Sequence, residues 1–455
     1  MHASAGGDLA ALRGRPAELL QRLIRFETVN PPGGERECVG WIESLLRDAG
    51  LETRIVAADE ERPNLIGRLR GRGESPPLLL QGHVDVVPVS DQDWTRPPFA
   101  GEESGGFIWG RGALDMKGGV AMMIAAVLRA RERGLEPRGD VLLCVLSDEE
   151  AGSDNGARHL VAEHAELFEG VRYALGEFGG FTLHVGGRRF APISLSEKQV
   201  CWMRGRVRGP GGHASLPMRG GTMARLANVL RRLDRRRLPV HVTPTVRRSI
   251  EELADGLHPA LAVPLRALLV PALTDRVLDA LGKRGVLFDP ALHNTVNVTI
   301  VSGGDKVNVV PGEVELMLDG RVLPGLGAEQ MLAEVAAAAG PDLELEVDRF
   351  DAGGPADPDL GLCEHVPYPD LGLWDVLAGV LRDQDPGIRP IPYLMPAVTD
   401  GRFFARLGIQ TYGFTPMRLP AGFEFNSLIH AADERIPTDA VEFGTQAMLN
   451  VLKRF

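Results

Sequence analysis

Cysteine is scarce in this sequence and never arranged in pairs. The four residues, Cys38, Cys144, Cys201 and Cys363, lie far apart with no CxxC spacing, which excludes a disulfide framework and a thiolate zinc site and leaves reduced, buried thiols as the reading. Long apolar runs are also missing. No stretch reaches the roughly 20 residues that a bilayer-spanning helix needs, so no membrane partner is expected. The first residues, MHASAGGDLAALRGRPAELL, carry no basic segment followed by an apolar run and a small-residue cleavage site, and a cytoplasmic location is the default expectation. Excess positive charge is absent too. A net charge of -11 opposes nucleic-acid binding, which needs clustered Lys and Arg against phosphate. The one basic run, Arg231, Arg232, Arg235, Arg236 and Arg237, ends a helical pattern where cations complement the helix dipole.

What is present is globular in composition, 44% hydrophobic and 24% charged, in a chain of 455 residues that exceeds what one core usually organises, so at least two domains are expected. Apolar residues recur at helical spacing over residues 17–26 and 36–49, with the turn NPPGGE between them. Residues 64–69, 77–81 and 141–147 read as short buried strands, and residues 118–131 as a helix of small and apolar side chains. That order predicts an α/β sheet covered on both faces. After Ser196 the pattern changes to an α+β unit, with strands at 201–207, 295–301, 313–321 and 343–347 and helices at 222–233 and 328–338. Residues 249–292, rich in Leu, Ala and Pro, read as an extra helical segment, either structural padding or a wall near the substrate. The first pattern resumes near Asp370 with helices at 373–381 and 438–452. The expected organisation is a catalytic α/β domain of residues 1–195 and 360–455, with a smaller α+β domain of residues 196–359 inserted.

Five segments carry residues suited to chemistry. LLLQGHVDVVP places His83 at the end of an apolar strand, where open α/β sheets bind ligands, with Asp85 two residues on to hold the imidazole through its other nitrogen. WGRGALDMKGG sets Asp115 on a glycine-rich loop before a helix, as a helix cap or as a carboxylate bridging two cations. VLLCVLSDEEAGS ends a buried strand in Asp148, Glu149 and Glu150; adjacent carboxylates repel unless a cation or shared proton compensates, so one Glu can bind metal while its neighbour moves a proton. LGEFGG presents Glu177 after another apolar segment, and NSLIHAADERI presents His430. Two His and three carboxylates without thiolates suit zinc or cobalt in a hydrolytic site.

GHVDVVP, GRGALDMKGG, SDEEAG, LGEFGG, GPGGHASLP, GGDKVNVVP and IHAADE occur in the order seen in the dizinc peptidases typified by aminoacylase, succinyl-diaminopimelate desuccinylase, acetylornithine deacetylase and carboxypeptidase S. The chain resembles that family from about Asn30 to the C-terminus. The resemblance implies a zinc-peptidase catalytic domain, a mixed sheet covered by helices, and an inserted α+β lid and dimerisation domain in a homodimer. It implies two zinc ions, with cobalt or manganese as substitutes: Asp115 bridging, His83 and Glu177 completing one site, Glu150 and His430 the other. Glu149 would be the general base, Asp85 would orient His83, and a cis peptide would follow Asp115. His213 of GPGGHASLP would stabilise the oxyanion, reaching the partner subunit's site as in relatives. Asn308 and Arg321 would contact the substrate carbonyl and carboxylate, and Arg402 of PAVTDGRFF a carboxylate, although Ala397 and Val398 stand where relatives carry glycines. The implied activity is hydrolysis of the amide bond of N-acyl amino acids or short peptides with a free C-terminal carboxylate, with bulky or apolar acyl groups favoured by the long insert. A desuccinylase-like or acetylornithine-deacetylase-like hydrolase is the alternative within enzymes. A metal-binding homologue without catalysis is the alternative outside them, disfavoured by the intact Glu149, Glu150 pair.

Overall fold

The computed structural model describes residues 12–282, 285, 288–347 and 369–455. Cys363 and the expected boundary between residues 359 and 360 lie outside the described residues. The chain divides into two units: one of Met1–Leu195, Asp370–Tyr393 and Thr399–Phe455, the other of Ser196–Pro369 and Leu394–Val398.

The first unit is built on a mixed sheet whose strands run in the order Glu52–Val56, Asn64–Leu69, Val141–Leu146, Leu78–His83, Tyr173–Gly176, Gln410–Gly413, Arg188–Glu197 and Ile388–Met395, with Leu183–Val185 hairpinned onto Arg188–Glu197. The four strands from Val141–Leu146 to Gln410–Gly413 are mutually parallel. Parallel strands lie between two covered faces and therefore tolerate apolar residues on both sides. Leu78, Leu80, Leu143, Val145 and Leu175 point into one core, while Leu79, Leu142, Cys144, Leu146 and Ala174 point into the other. The larger core takes helices Pro16–Ile24, Arg36–Asp48, Lys117–Glu132, Trp374–Gln384 and Thr438–Arg454. Helix Lys117–Glu132 is buried from Lys117 to Ala130, which accounts for its lack of a polar face. Its first turn lies so close to the preceding loop that a Cβ at Gly118 would be 2.2 Å from the Ala113 carbonyl oxygen.

The second unit carries an antiparallel sheet in the order Thr295–Ser302, Glu313–Val322, Gln199–Arg208, Glu344–Val347. Alternate residues of its two central strands are buried, Cys201, Met203 and Val207 against Val314, Leu316 and Leu318, and helices Thr222–Arg235 and Ala328–Ala339 cover that face. The expected helical segment begins earlier than residue 249 and is four helices: Pro244–Asp255, Pro259–Ala267, Pro271–Leu281 and Asp289–Leu292. Each of the first three opens on proline, whose fixed φ and missing N–H suit the first helical position.

Among the described residues no helix is long and apolar enough to cross a membrane. Cys38, Cys144 and Cys201 are buried. Leu143 is 1% exposed in the central sheet, whereas Ile55 on the edge strand is 39% exposed. Leu143→Ala is therefore expected to destabilise the first unit by about 2–5 kcal/mol, and Ile55→Ala by roughly 1 kcal/mol or less, read from denaturant midpoints at constant slope. Equal losses in the two variants would contradict this packing.

Candidate metal centre

Because the central strands are parallel, their carboxyl ends meet at one edge of the sheet. His83 closes strand Leu78–His83, Glu177 follows Tyr173–Gly176, and Glu149 and Glu150 follow Val141–Leu146 on a short turn. That turn is pinned at both ends. Ser147 donates from its backbone to Asn64 Oδ1 at 3.0 Å and from Oγ to the Pro63 carbonyl at 2.6 Å. Gly156 then passes so near that a Cβ would lie 2.0 Å from the Ser147 carbonyl oxygen. Asp148 has φ 69°, and its carboxylate accepts from the Asn155 backbone and side chain, both at 2.9 Å, and pairs with Arg62 at 2.9 Å.

Six of the sequence-derived residues come together here. His83 Nε2 faces Asp115 Oδ1 at 3.3 Å, Glu177 Oε2 at 3.8 Å and Glu149 Oε2 at 4.0 Å. His430 Nε2 faces the other oxygen, Asp115 Oδ2, at 3.2 Å and Glu150 Oε1 at 3.2 Å. The Asp115 carboxylate thus lies between two imidazoles, one oxygen toward each. The peptide between Asp115 and Met116 is cis.

Asp85 acts on both sides of the cluster. Its carbonyl lies 3.0 Å from His83 Nδ1; a carbonyl only accepts, so Nδ1 donates and the lone pair is left on Nε2. Its carboxylate lies 3.4 Å from the same nitrogen and accepts the backbone N–H groups of Glu149 at 3.2 Å and Glu150 at 3.0 Å, and the Asn30 amide at 2.8 Å.

The electrostatics follow from burial and repulsion. Burial, then the charge of Glu177, raises the Glu149 pKa well above 4.5. Burial, then Asp115, pushes Glu177 up to about 8. The carboxylates of Asp115 and Glu150 outweigh burial and raise His430 to about 10. Burial alone would lower the His83 pKa, but Asp115, Asp85 and Glu177 raise it well above 6.5. Burial opposes ionisation of Asp115 as well, yet His430 and His83 hold its pKa below the ordinary value.

The donors fit divalent cations. His83 Nε2 and Asp115 Oδ1 are buried without a hydrogen-bond partner, an expensive state unless something binds them. Ligand atoms of His83, Glu149 and Glu177, and of His83, Asp115 and Glu150, lie within 4.8 Å of one another. Glu149 therefore falls inside the first group geometrically, although the family resemblance implies a base there.

The remaining candidates are not among these six. In the second unit His213 is exposed and bonds through Nδ1 to Ser215 Oγ at 2.7 Å. Its strand, Gly212–His213, pairs with Val309–Val310, and Ala214 donates to the Asn308 carbonyl at 3.0 Å, so His213 and Asn308 are neighbours. Arg321 is forked onto Asp319 at 2.7 and 2.9 Å, which a substrate carboxylate would have to displace. In the first unit Arg402 stacks over Phe403 at 4.6 Å and its buried Nε has no hydrogen-bond partner. Asp400 beside it accepts from Ser153 Oγ at 2.5 Å, and burial pushes it up to about 6.

Sequence reasoning missed Arg111 and Glu434, a fully buried ion pair at 2.8 Å beneath the Asp115 loop. It also missed Asn30. The available signals were charged residues inside the glycine-rich run GRGALD and at the end of IHAADE.

Comparisons with known proteins identify the family. The chain is 28% identical over 385 residues to N-fatty-acyl-amino acid synthase/hydrolase PM20D1 of Bos taurus, covering 82% of this chain and 73% of that one. It is 28% identical over 445 residues to succinyl-diaminopimelate desuccinylase of Paracoccus denitrificans, covering 97% and 98%. Among solved structures, the M20 family metallo-carboxypeptidase Sso-CP2 from Sulfolobus solfataricus shares the fold with a TM-score of 0.66 at 17% identity, covering 96% and 98%. Residues 79–454 match the model of peptidase family M20/M25/M40, and the chain belongs to that family.

Proposed function

We propose that the first unit hydrolyses the amide bond of an N-acyl amino acid, or of a short peptide with a free C-terminal carboxylate, with two divalent cations held by its strand-end cluster. The observation that carries this reading is the Asp115 carboxylate, with one oxygen toward His83 and the other toward His430 at 3.3 and 3.2 Å. His83 and Glu177 would hold one cation and His430 and Glu150 the other, with the Asp115 carboxylate shared between them. Zinc is the proposed ion, with cobalt or manganese as substitutes, because the donor set mixes imidazole and carboxylate without thiolate. Bound there, the cations would polarise the substrate carbonyl and lower the pKa of water.

Glu149 takes a proton from the attacking water and returns it to the departing nitrogen. Its raised proton affinity suits both halves of that transfer. Asp85 keeps His83 in the tautomer with a free Nε2 and, through two backbone amides, fixes the turn carrying Glu149 and Glu150. In the second unit His213 is the proposed oxyanion donor, and Asn308 and Arg321 are the proposed contacts to the substrate carbonyl and carboxylate, with Arg402 of the first unit as a further carboxylate contact.

The second unit is proposed as the lid and dimerisation domain of a homodimer. Strand Thr295–Ser302 supports this: it ends its sheet, and Ile300 and Val301 are 56% and 50% exposed, the kind of edge that pairs with another chain. A cytoplasmic location is proposed, a compartment in which buried thiols such as Cys38 and Cys144 stay reduced.

The relative named for N-fatty-acyl-amino acids favours long apolar acyl groups, whereas the nearly full-length match to a desuccinylase favours a succinyl amide. A screen of N-acyl amino acids with zinc- or cobalt-loaded protein, following free amine, separates the two readings. Amidation of the substrate carboxylate is expected to abolish turnover in either case.

Glu149→Ala is expected to lose on the order of 10²–10⁴-fold in kcat while binding two cations almost as the parent does, measured by calorimetric titration. Loss of one cation in that variant would make Glu149 a ligand instead of the base. Glu177, at about 8, and His430, at about 10, hold protons at neutral pH that a cation must displace. Metal affinity is therefore expected to fall as pH drops from 8 to 6, with proton release on binding. A pH-independent affinity over that window would contradict these assignments.

A further inference from the structure

The two halves of the cluster are built from different material. His83 and Glu177 stand at the ends of central sheet strands, and the His83 side chain is 2% exposed. Sheet pairing sets the strand ends that carry them. His430 stands on a loop with φ 60°, and its side chain is 49% exposed. Something other than sheet pairing must set its distance from Asp115.

The structure shows what does so. Arg111 Nη1 donates to Glu434 Oε2 at 2.8 Å and to the Ala431 carbonyl at 3.1 Å. Its Nη2 donates to Gln92 Oε1 at 2.7 Å and to the His430 carbonyl at 3.3 Å. Gln92 Nε2 donates to the same His430 carbonyl at 2.8 Å. On the other side, Glu434 Oε1 accepts the backbone N–H groups of Leu114 at 2.7 Å and Asp115 at 3.1 Å. The guanidinium lies 5.0 Å from the Trp94 ring centroid, and Asp433 accepts from Thr95, so residues 92–95 brace residues 430–433. One buried ion pair thus links the backbone of Asp115 to the backbone of His430. None of these side chains reaches the cation-binding atoms themselves.

We infer that Gln92, Arg111 and Glu434 are positioning residues for the His430 half of the cluster, and that this half is the weaker cation site because it depends on them while the His83 half depends on the sheet. The inference rests on the two-cation reading proposed above. A carboxylate and a guanidinium suit this work because together they satisfy two backbone N–H groups and two carbonyls without water, at fixed angles.

The test is a titration of the metal-free full chain with cobalt(II) alone, following visible absorbance and the number of ions retained, for the parent, Gln92→Ala and Glu434→Gln. The parent is expected to take up two ions in unequal steps. Gln92→Ala should keep the tighter ion with affinity within about twofold of the parent and lose on the order of 10–100-fold for the other, whereas Glu434→Gln, which also disturbs the Asp115 amide, should weaken both steps and the second one more. Gln92 is only partly buried, so its variant decides the question if Glu434→Gln does not fold, as checked by thermal unfolding. The same loss at both steps, or no loss at either in folded protein, overturns the positioning role. A parent that binds fewer than two ions instead overturns the two-cation reading, and the inference with it.

Discussion

Asp115, Glu149, Glu150 and Glu177 crowd around two imidazoles where little water reaches them. Two unit charges 4 Å apart at an effective dielectric constant of 20 repel by about 4 kcal/mol, so an apparatus of this kind stands only if positive charge is returned to it. Without cations the protein supplies that charge as protons, which is why Glu149, Glu177 and both histidines bind them more tightly than in water. Much of the surrounding structure serves to keep these groups from moving apart. The sheet edge, the Asp85 carboxylate and the Arg111, Glu434 pair each close one route of escape.

The route from sequence to this arrangement is short. Apolar strands that are buried on both faces must be covered on both, and those that are parallel deliver their last residues to one edge. Polar residues placed immediately after such strands therefore meet without any long-range design. His83, Glu149, Glu150 and Glu177 share that origin, and Asp115 joins them from the loop ahead of a helix packed on the same sheet.

Legibility followed the strength of each local signal. The helix at Arg36–Asp48 was readable because its apolar spacing is regular, and strand Asn64–Leu69 and helix Lys117–Glu132 because each is a run rich in apolar or small residues. Glu52–Val56 was not, since it is a mostly exposed edge strand with charged residues. Arg188–Glu197 and Ile388–Met395 mix charged, proline and apolar residues, and Gln410–Gly413 is only four residues long. At the site, His83, Asp115, Glu149, Glu150 and Glu177 announced themselves as polar residues at apolar strand ends or in a glycine-rich loop, while His430 of NSLIHAADERI took its role from the family likeness. Asn30, Arg111 and Glu434 did not, because their work lies in partners such as the Asp115 amide that only the folded chain brings near. Asn308, Arg321 and Arg402 rest on family likeness, since a loop Asn and two Arg side chains carry no signal of their own.

Strand Gln410–Gly413 lies between Tyr173–Gly176 and Arg188–Glu197. Those two neighbours are close in sequence, but the strand between them is made roughly 210 residues later, on the order of 10–40 s at common rates of translation. Until that stretch emerges, Tyr173–Gly176 and Arg188–Glu197 lack the strand that lies between them in the finished sheet. Sheet closure and the arrival of His430 both wait on residues far downstream of the first strands, so the growing polypeptide cannot assemble the centre early.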